Sequence, residues 1–127
     1  MPRPIIAQVS AAPNFAFNLD EARAFFLDQD ADSAASRFAK LKEELREMKA
    51  LLSWSPACGR PAWFLNARSA QARFRLNTIL EMARQAGLPS LREYVAARHV
   101  VLYAHADAEV ILLALKHQRQ LTYSTPH

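Results

Sequence analysis

The sequence predicts an α+β domain, a small antiparallel-rich sheet packed against a helix hairpin. Three observations predict it. The last third holds three strand-like segments around Leu91–Val95, Val100–Tyr103 and Glu109–Lys116. Ala34, Phe38, Leu41, Leu45, Met48 and Leu52 alternate spacings of four and three, the mark of one apolar helix stripe. A short branched segment, Ile5 to Ser10, precedes the helical region.

The elements follow in order. Ile5, Ile6 and Val9 make residues 5–10 a first strand, and Pro13-Asn14 breaks it. Asn18-Leu19-Asp20-Glu21 reads as a capping box opening a helix to about Gln29, with Leu19, Ala22, Phe25 and Phe26 turned inward. Asp32 is expected to cap the second helix, whose outer face carries Lys40, Lys42, Glu43, Glu44, Arg46, Glu47 and Lys49. That mixed-sign face is solvated surface. So short a turn between the two helices implies an antiparallel hairpin.

Residues 55–61 form a loop, and Trp63, Phe64 and Leu65 pin the chain back to the core. A third helix is expected from about Arg68 to Ala86, burying Ala72, Leu76, Ile79, Leu80 and Ala83 and ending at Gly87-Leu88-Pro89. On the middle strand of the last third, His99, Val101, Tyr103 and His105 share one face and Val100, Leu102 and Ala104 the other. Ala106-Asp107-Ala108 makes a hairpin turn. The last strand is apolar on both faces and so should be central and covered.

A chain of 127 residues with 51% hydrophobic content forms a single domain, residues 1–127, with 1–3 and 124–127 expected to be flexible. The one cysteine, Cys58, excludes an internal disulfide framework and a multi-cysteine zinc site, and a reducing cytoplasm fits best. No apolar run is long enough to cross a bilayer, no signal peptide is expected, and no membrane association follows. The net charge of +4 is uneven: residues 1–53 carry −1 and residues 54–127 carry +5. The basic half favours an acidic partner.

The final strand runs from apolar residues into Lys116, His117 and Arg119. A cationic, histidine-bearing sheet edge suits gripping a polyanion or moving protons beside one. His99 and His105 alternate on one strand face, but no Cys, Asp or Glu is spaced to complete a site, so neither a metal nor a cofactor is expected. Cys58 reads as a loop thiol without an activating partner. Arg68, Arg73, Arg75 and Arg84 lie on the third helix, Arg68 and Arg75 sharing a face and Arg84 rotated away, and solvated surface is the simpler reading. Trp54 and Trp63 flank the Gly59-Arg60 loop, where an exposed tryptophan would serve as a partner hot spot.

Four motifs occur in a telling order: Gly59-Arg60 after the hairpin, Leu91-Arg92-Glu93, Arg98 to Tyr103 as Arg-x-Val-Val-Leu-Tyr, and His117-Gln118-Arg119 followed by Leu121 and Tyr123. Over roughly residues 4–123 this order resembles the RelE/ParE superfamily of bacterial type II toxin–antitoxin toxins, also called plasmid stabilisation proteins. The resemblance implies a β-α-α-(α)-β-β-β fold and a toxin that arrests growth. It also implies a cognate antitoxin that neutralises the toxin, in a hetero-oligomer. ParE-like members inhibit DNA gyrase; RelE-like members cut mRNA in the ribosomal A site without a metal.

In the RelE-like case His117 would act as acid or base, Lys116, Arg119 and Arg92 would hold the phosphate, and Tyr123 would stack on a base or aid proton transfer. The thin cationic set leans toward gyrase inhibition. A non-toxic basic binding protein is the further alternative. The chain departs from the family in one respect: about 25 residues and a helix intervene between the Gly-Arg loop and the sheet.

Overall fold

A computed structural model of the chain describes residues 6–62, 70–85, 87–88 and 90–120. The readings on Trp63, Phe64, Leu65, Arg68, Leu121, Tyr123 and the two termini lie outside the described residues, as do those on the side chains of Ala72, Arg73, Arg75 and Leu76.

The elements are β1 (Gln8–Ala11), α1 (Pro13–Gln29), α2 (Ala31–Trp54), a 3-10 turn (Pro56–Cys58), β2 (Arg60–Pro61), α3 (Ala70–Gln85), β3 (Ser90–Ala96), β4 (His99–His105) and β5 (Glu109–His117). They form an α+β fold with one five-stranded mixed sheet in the order β1-β5-β4-β3-β2. β1 runs parallel to β5, and every other neighbour pair is antiparallel. The α1–α2 hairpin covers one face, where Phe15, Phe26, Leu41, Leu45, Met48 and Leu52 meet Val101, Tyr103, Val110 and Leu112. The helix α3 covers the other, where Ile79, Ala83 and Leu88 meet Val100, Leu102, Ala104 and Leu113. Two covered faces explain why β4 and β5 are apolar on both sides.

The first helix begins earlier than the capping-box reading. Pro13 occupies the first helical position, where its missing N–H is no loss and its fixed φ already suits the helix. Asn18 therefore lies inside α1, buried, and caps nothing. Its task is on the sheet. β1 accompanies β5 only from Glu109 to Leu112, and Ala12 N–H closes that ladder on Leu112 O at 2.8 Å. Beyond it the outer edge of β5 would be bare. Asn14 Nδ2 donates to Leu113 O at 3.1 Å, and Leu115 N–H donates to Asn18 Oδ1 at 2.9 Å. Two asparagines one helical turn apart thus stand in for a missing strand, because buried backbone groups must be paired.

Three smaller corrections follow. The cap of α2 is Asp30, whose extended backbone lets its Oδ1 accept from Asp32 N–H at 3.1 Å. Phe25 is half exposed while its neighbour Phe26 is buried, since consecutive helix positions point about 100° apart. The 59–61 loop contributes a two-residue strand, β2, paired with β3. At the end of α3, Leu88 N–H bonds Ala83 O and Gly87 N–H bonds Arg84 O, with Gly87 at φ 72°. This is the glycine stop that the sequence predicts.

Candidate functional site

A bulge in β5 decides what its end presents. Leu102 pairs with Ala114 but Tyr103 pairs with Leu112, leaving Leu113 extra. Leu113 and Ala114 both join the α3-side core, and Leu115 returns to the hairpin side. The phase flip turns His117 toward the helix hairpin. There it stands directly opposite His99 of β4, the two rings 5.3 Å apart and nearly perpendicular. His99 meets the edge of Phe26 at 6.2 Å, and the Arg37 guanidinium lies 4.6 Å over the Phe26 ring. The β3–β4 turn, with Ala97 at φ 54°, sets Arg98 beside them.

These groups line a cavity of about 720 Å³ between α1 and the end of β5. Arg37, Arg98, Lys116 and Arg119 bring four cations to it, and among the described residues that line it Glu21 is the one carboxylate. Glu21 accepts a hydrogen bond from Asn18 Nδ2 at 3.1 Å. Among the described residues no carboxylate forms an ion pair with Arg37, Arg98 or Arg119.

The charge surplus acts on the imidazoles. Burial pushes the His99 pKa down to about 4, and the neighbouring His117 and Arg37 push the same way. The pKa of His117 is lowered by burial first, then by Arg119, Arg98, Arg37 and Lys116. Burial also lowers that of Lys116. Both rings are therefore neutral at neutral pH. His117 Nδ1 accepts from Arg119 N–H at 3.2 Å, so the neutral ring carries its proton on Nε2. That nitrogen offers a hydrogen-bond donor and no free lone pair for a base.

The structure brings together Lys116, His117 and Arg119, the end of the last strand singled out by the sequence. Lys116 Nζ donates to Gln120 O, and His117 N–H donates to Gln120 Oε1. Arg92 does not join them. It lies on β3 opposite Tyr103, and its Nη1 donates to Gly59 O at 2.7 Å. His99, Arg37 and Phe26 are members that sequence reasoning missed as a site. The signal for His99 was its chance of pairing with His117 across the hairpin, which requires the register to be known.

Arg92 belongs to a second polar cluster at the other end of the sheet. Gly59 N–H donates to the Tyr103 hydroxyl at 2.9 Å, and that hydroxyl donates to Pro56 O at 2.7 Å. The Arg60 Nε lies 3.6 Å from the buried Glu93 carboxylate. Cys58 is exposed beside this knot, and partial burial raises its thiol pKa, which disfavours the thiolate. Trp54 is 63% exposed. His99 and His105 sit at opposite ends of β4 and cannot share a metal ion. Among the described residues no three His, Cys, Asp or Glu side chains gather as a metal site, and no helix is long and apolar enough to cross a membrane.

No protein-family model matches the chain, and no curated protein matches it.

Proposed function

We propose that the chain is the toxin of a bacterial type II toxin–antitoxin system, of the RelE/ParE kind, acting in the cytoplasm by binding its target in the manner of gyrase inhibitors. The observation that carries this reading is the basic cavity at the end of β5, where Lys116, His117 and Arg119 meet Arg37 and Arg98. Positive charge concentrated in one concave place attracts an acidic macromolecule and raises its encounter rate. The element order supports the same reading. So does the interlocking of Gly59, Arg60, Arg92, Glu93 and Tyr103, residues drawn from three of the four resemblance motifs.

Binding is favoured over cleavage by the state of the imidazoles. Cutting RNA through its 2′-hydroxyl needs a base with a free lone pair and an acid that holds a proton near neutral pH. The free nitrogen of His117 is protonated in the neutral ring, and His99 titrates far too low to serve as an acid. A cognate antitoxin would mask the basic rim with an acidic segment that folds on contact.

The test is induction of the protein alone in bacteria, with a supercoiling assay on purified gyrase. Filamentation and loss of supercoiling are expected, both relieved by Arg119→Ala combined with His117→Ala. Rapid translation arrest with A-site mRNA cuts would replace gyrase by the ribosome as target. Normal growth with abundant folded protein would remove the toxin reading.

A further inference from the structure

The cavity is more specific than a basic surface. Arg37, Arg98 and Arg119 all line it, together with the His117 ring. Charge gathered at a single spot matches a compact dianion better than carboxylates spaced along a peptide. Beside that spot stands an apolar wall. Phe25 is half exposed and lines the cavity, its ring 6.4 Å from that of Phe26. A volume of about 720 Å³ lies within the range of small-ligand sites and exceeds what a bare inorganic anion fills. The protonated Nε2 of His117 adds a neutral donor.

We propose that this cavity binds a nucleoside phosphate, its base against Phe25 and its phosphate among Arg37, Arg98 and Arg119. Arg98 and Arg119 are exposed side chains able to close on the phosphate by paired hydrogen bonds. Arg37 is held over Phe26 and by Gln29 Oε1 at 2.9 Å, so it meets the ligand already oriented. The same chemistry occurs in a free nucleotide and in one nucleotide of a strand. The cavity is bounded by α1 on one side and the end of β5 on the other, which favours the free form.

The inference rests on the reading of this cavity as the functional one, but not on toxicity. A protein that binds AMP and leaves growth untouched keeps the inference and removes the toxin.

The experiment is calorimetric titration of the full chain with AMP, with adenosine, inorganic phosphate and a short single-stranded oligonucleotide as separate probes. AMP should bind about tenfold or more tightly than adenosine or phosphate, a difference of about 1.4 kcal/mol. Arg98→Ala with Arg119→Ala should weaken AMP binding about tenfold or more without lowering the melting temperature. Phe25→Ala should weaken AMP binding about fivefold and leave the phosphate response unchanged. No heat at millimolar AMP overturns the proposal. So does equal AMP binding by the double variant. Tighter binding of the oligonucleotide than of AMP overturns it in favour of a polynucleotide surface.

Discussion

At the Tyr103 end of β4, polar groups of the sheet interlock, although the buried Arg92 Nε and His105 Nε2 find no hydrogen-bond partner among the described residues. At the His99 end, cations outnumber carboxylates among the described residues. The first end closes on itself: one tyrosine hydroxyl bridges Gly59 N–H and Pro56 O, Arg92 takes Gly59 O, and Arg60 faces Glu93. The second end carries Arg37, Arg98, Lys116 and Arg119 around two neutral imidazoles and a cavity. Both ends belong to the same strand and the same core. Their difference teaches that arginine content does not mark a site. Arg92 is consumed by a backbone carbonyl, whereas Arg98 and Arg119 point charge at open space, and only the latter pattern leaves interaction energy for a ligand.

If the closed end is structural, substitutions there should lower stability in proportion to what they leave unpaired. Gly59→Ala should have the largest effect. A Cβ at Gly59 would lie 2.6 Å from Glu93 O, 2.6 Å from the Tyr103 hydroxyl and 2.8 Å from Tyr103 Cε1. Neither the strand carbonyl nor the buried ring can yield cheaply, and both hydrogen bonds through Gly59 would break. A loss of about 3–4 kcal/mol is expected in urea unfolding. A variant as stable as the parent would mean the loop docks differently. Tyr103→Phe keeps the ring and removes only the bridge, so about 2 kcal/mol should be lost. A near-zero change would show that water already satisfies Gly59 and Pro56.

The two ends are joined by the edge of β5, and there Asn18 makes a third test. Asn18→Ala removes the acceptor from the buried Leu115 N–H. Stability should fall by about 1–2 kcal/mol. The amides of Leu115 and Lys116 should exchange hydrogen faster, while those of β4 stay protected. Unchanged exchange at Leu115 would mean the edge is covered by something other than α1.

Sequence made one kind of structure legible and left another hidden. The α2 stripe needs only a period, and Ala34, Leu41, Leu45, Met48 and Leu52 are all buried as it predicts. The same holds for the alternation of Val100–Ala104 and for the Gly87 stop. Asn18 misled because its neighbours mimic a capping box, while the true signal was Asn14 and Asn18 four apart, whose partners lie nearly a hundred positions away on β5. The site was half legible for a related reason. Lys116, His117 and Arg119 are neighbours in the chain. His99 becomes their neighbour only through hairpin register, and the face His117 takes is set by the bulge at Leu113. Arg37 arrives through the tertiary docking of α2. Local pattern carries no information about such distant pairings.

The open end has its own stability signature, an effect that appears only on acidification. His99 has a pKa of about 4 in the folded chain and an ordinary value near 6.5 when unfolded. Between these values the unfolded chain binds a proton that the native chain refuses, so stability falls as pH drops from about 6.5 to about 4 and is level with respect to this group outside that window. The full shift would correspond to about 3 kcal/mol, and because the ring borders an open cavity about 1–2 kcal/mol is the reasonable expectation. The groups facing it are Phe26 from α1, Arg37 from α2 and His117 from β5. His99→Phe keeps a ring against Phe26 and removes the titration. Chemical unfolding of parent and variant at pH 7 and pH 4.5 should show the parent losing about 1–2 kcal/mol more on acidification. Parallel pH slopes in the two proteins would mean that His99 is protonated in the native state, and the cavity would then be less basic than its lining implies.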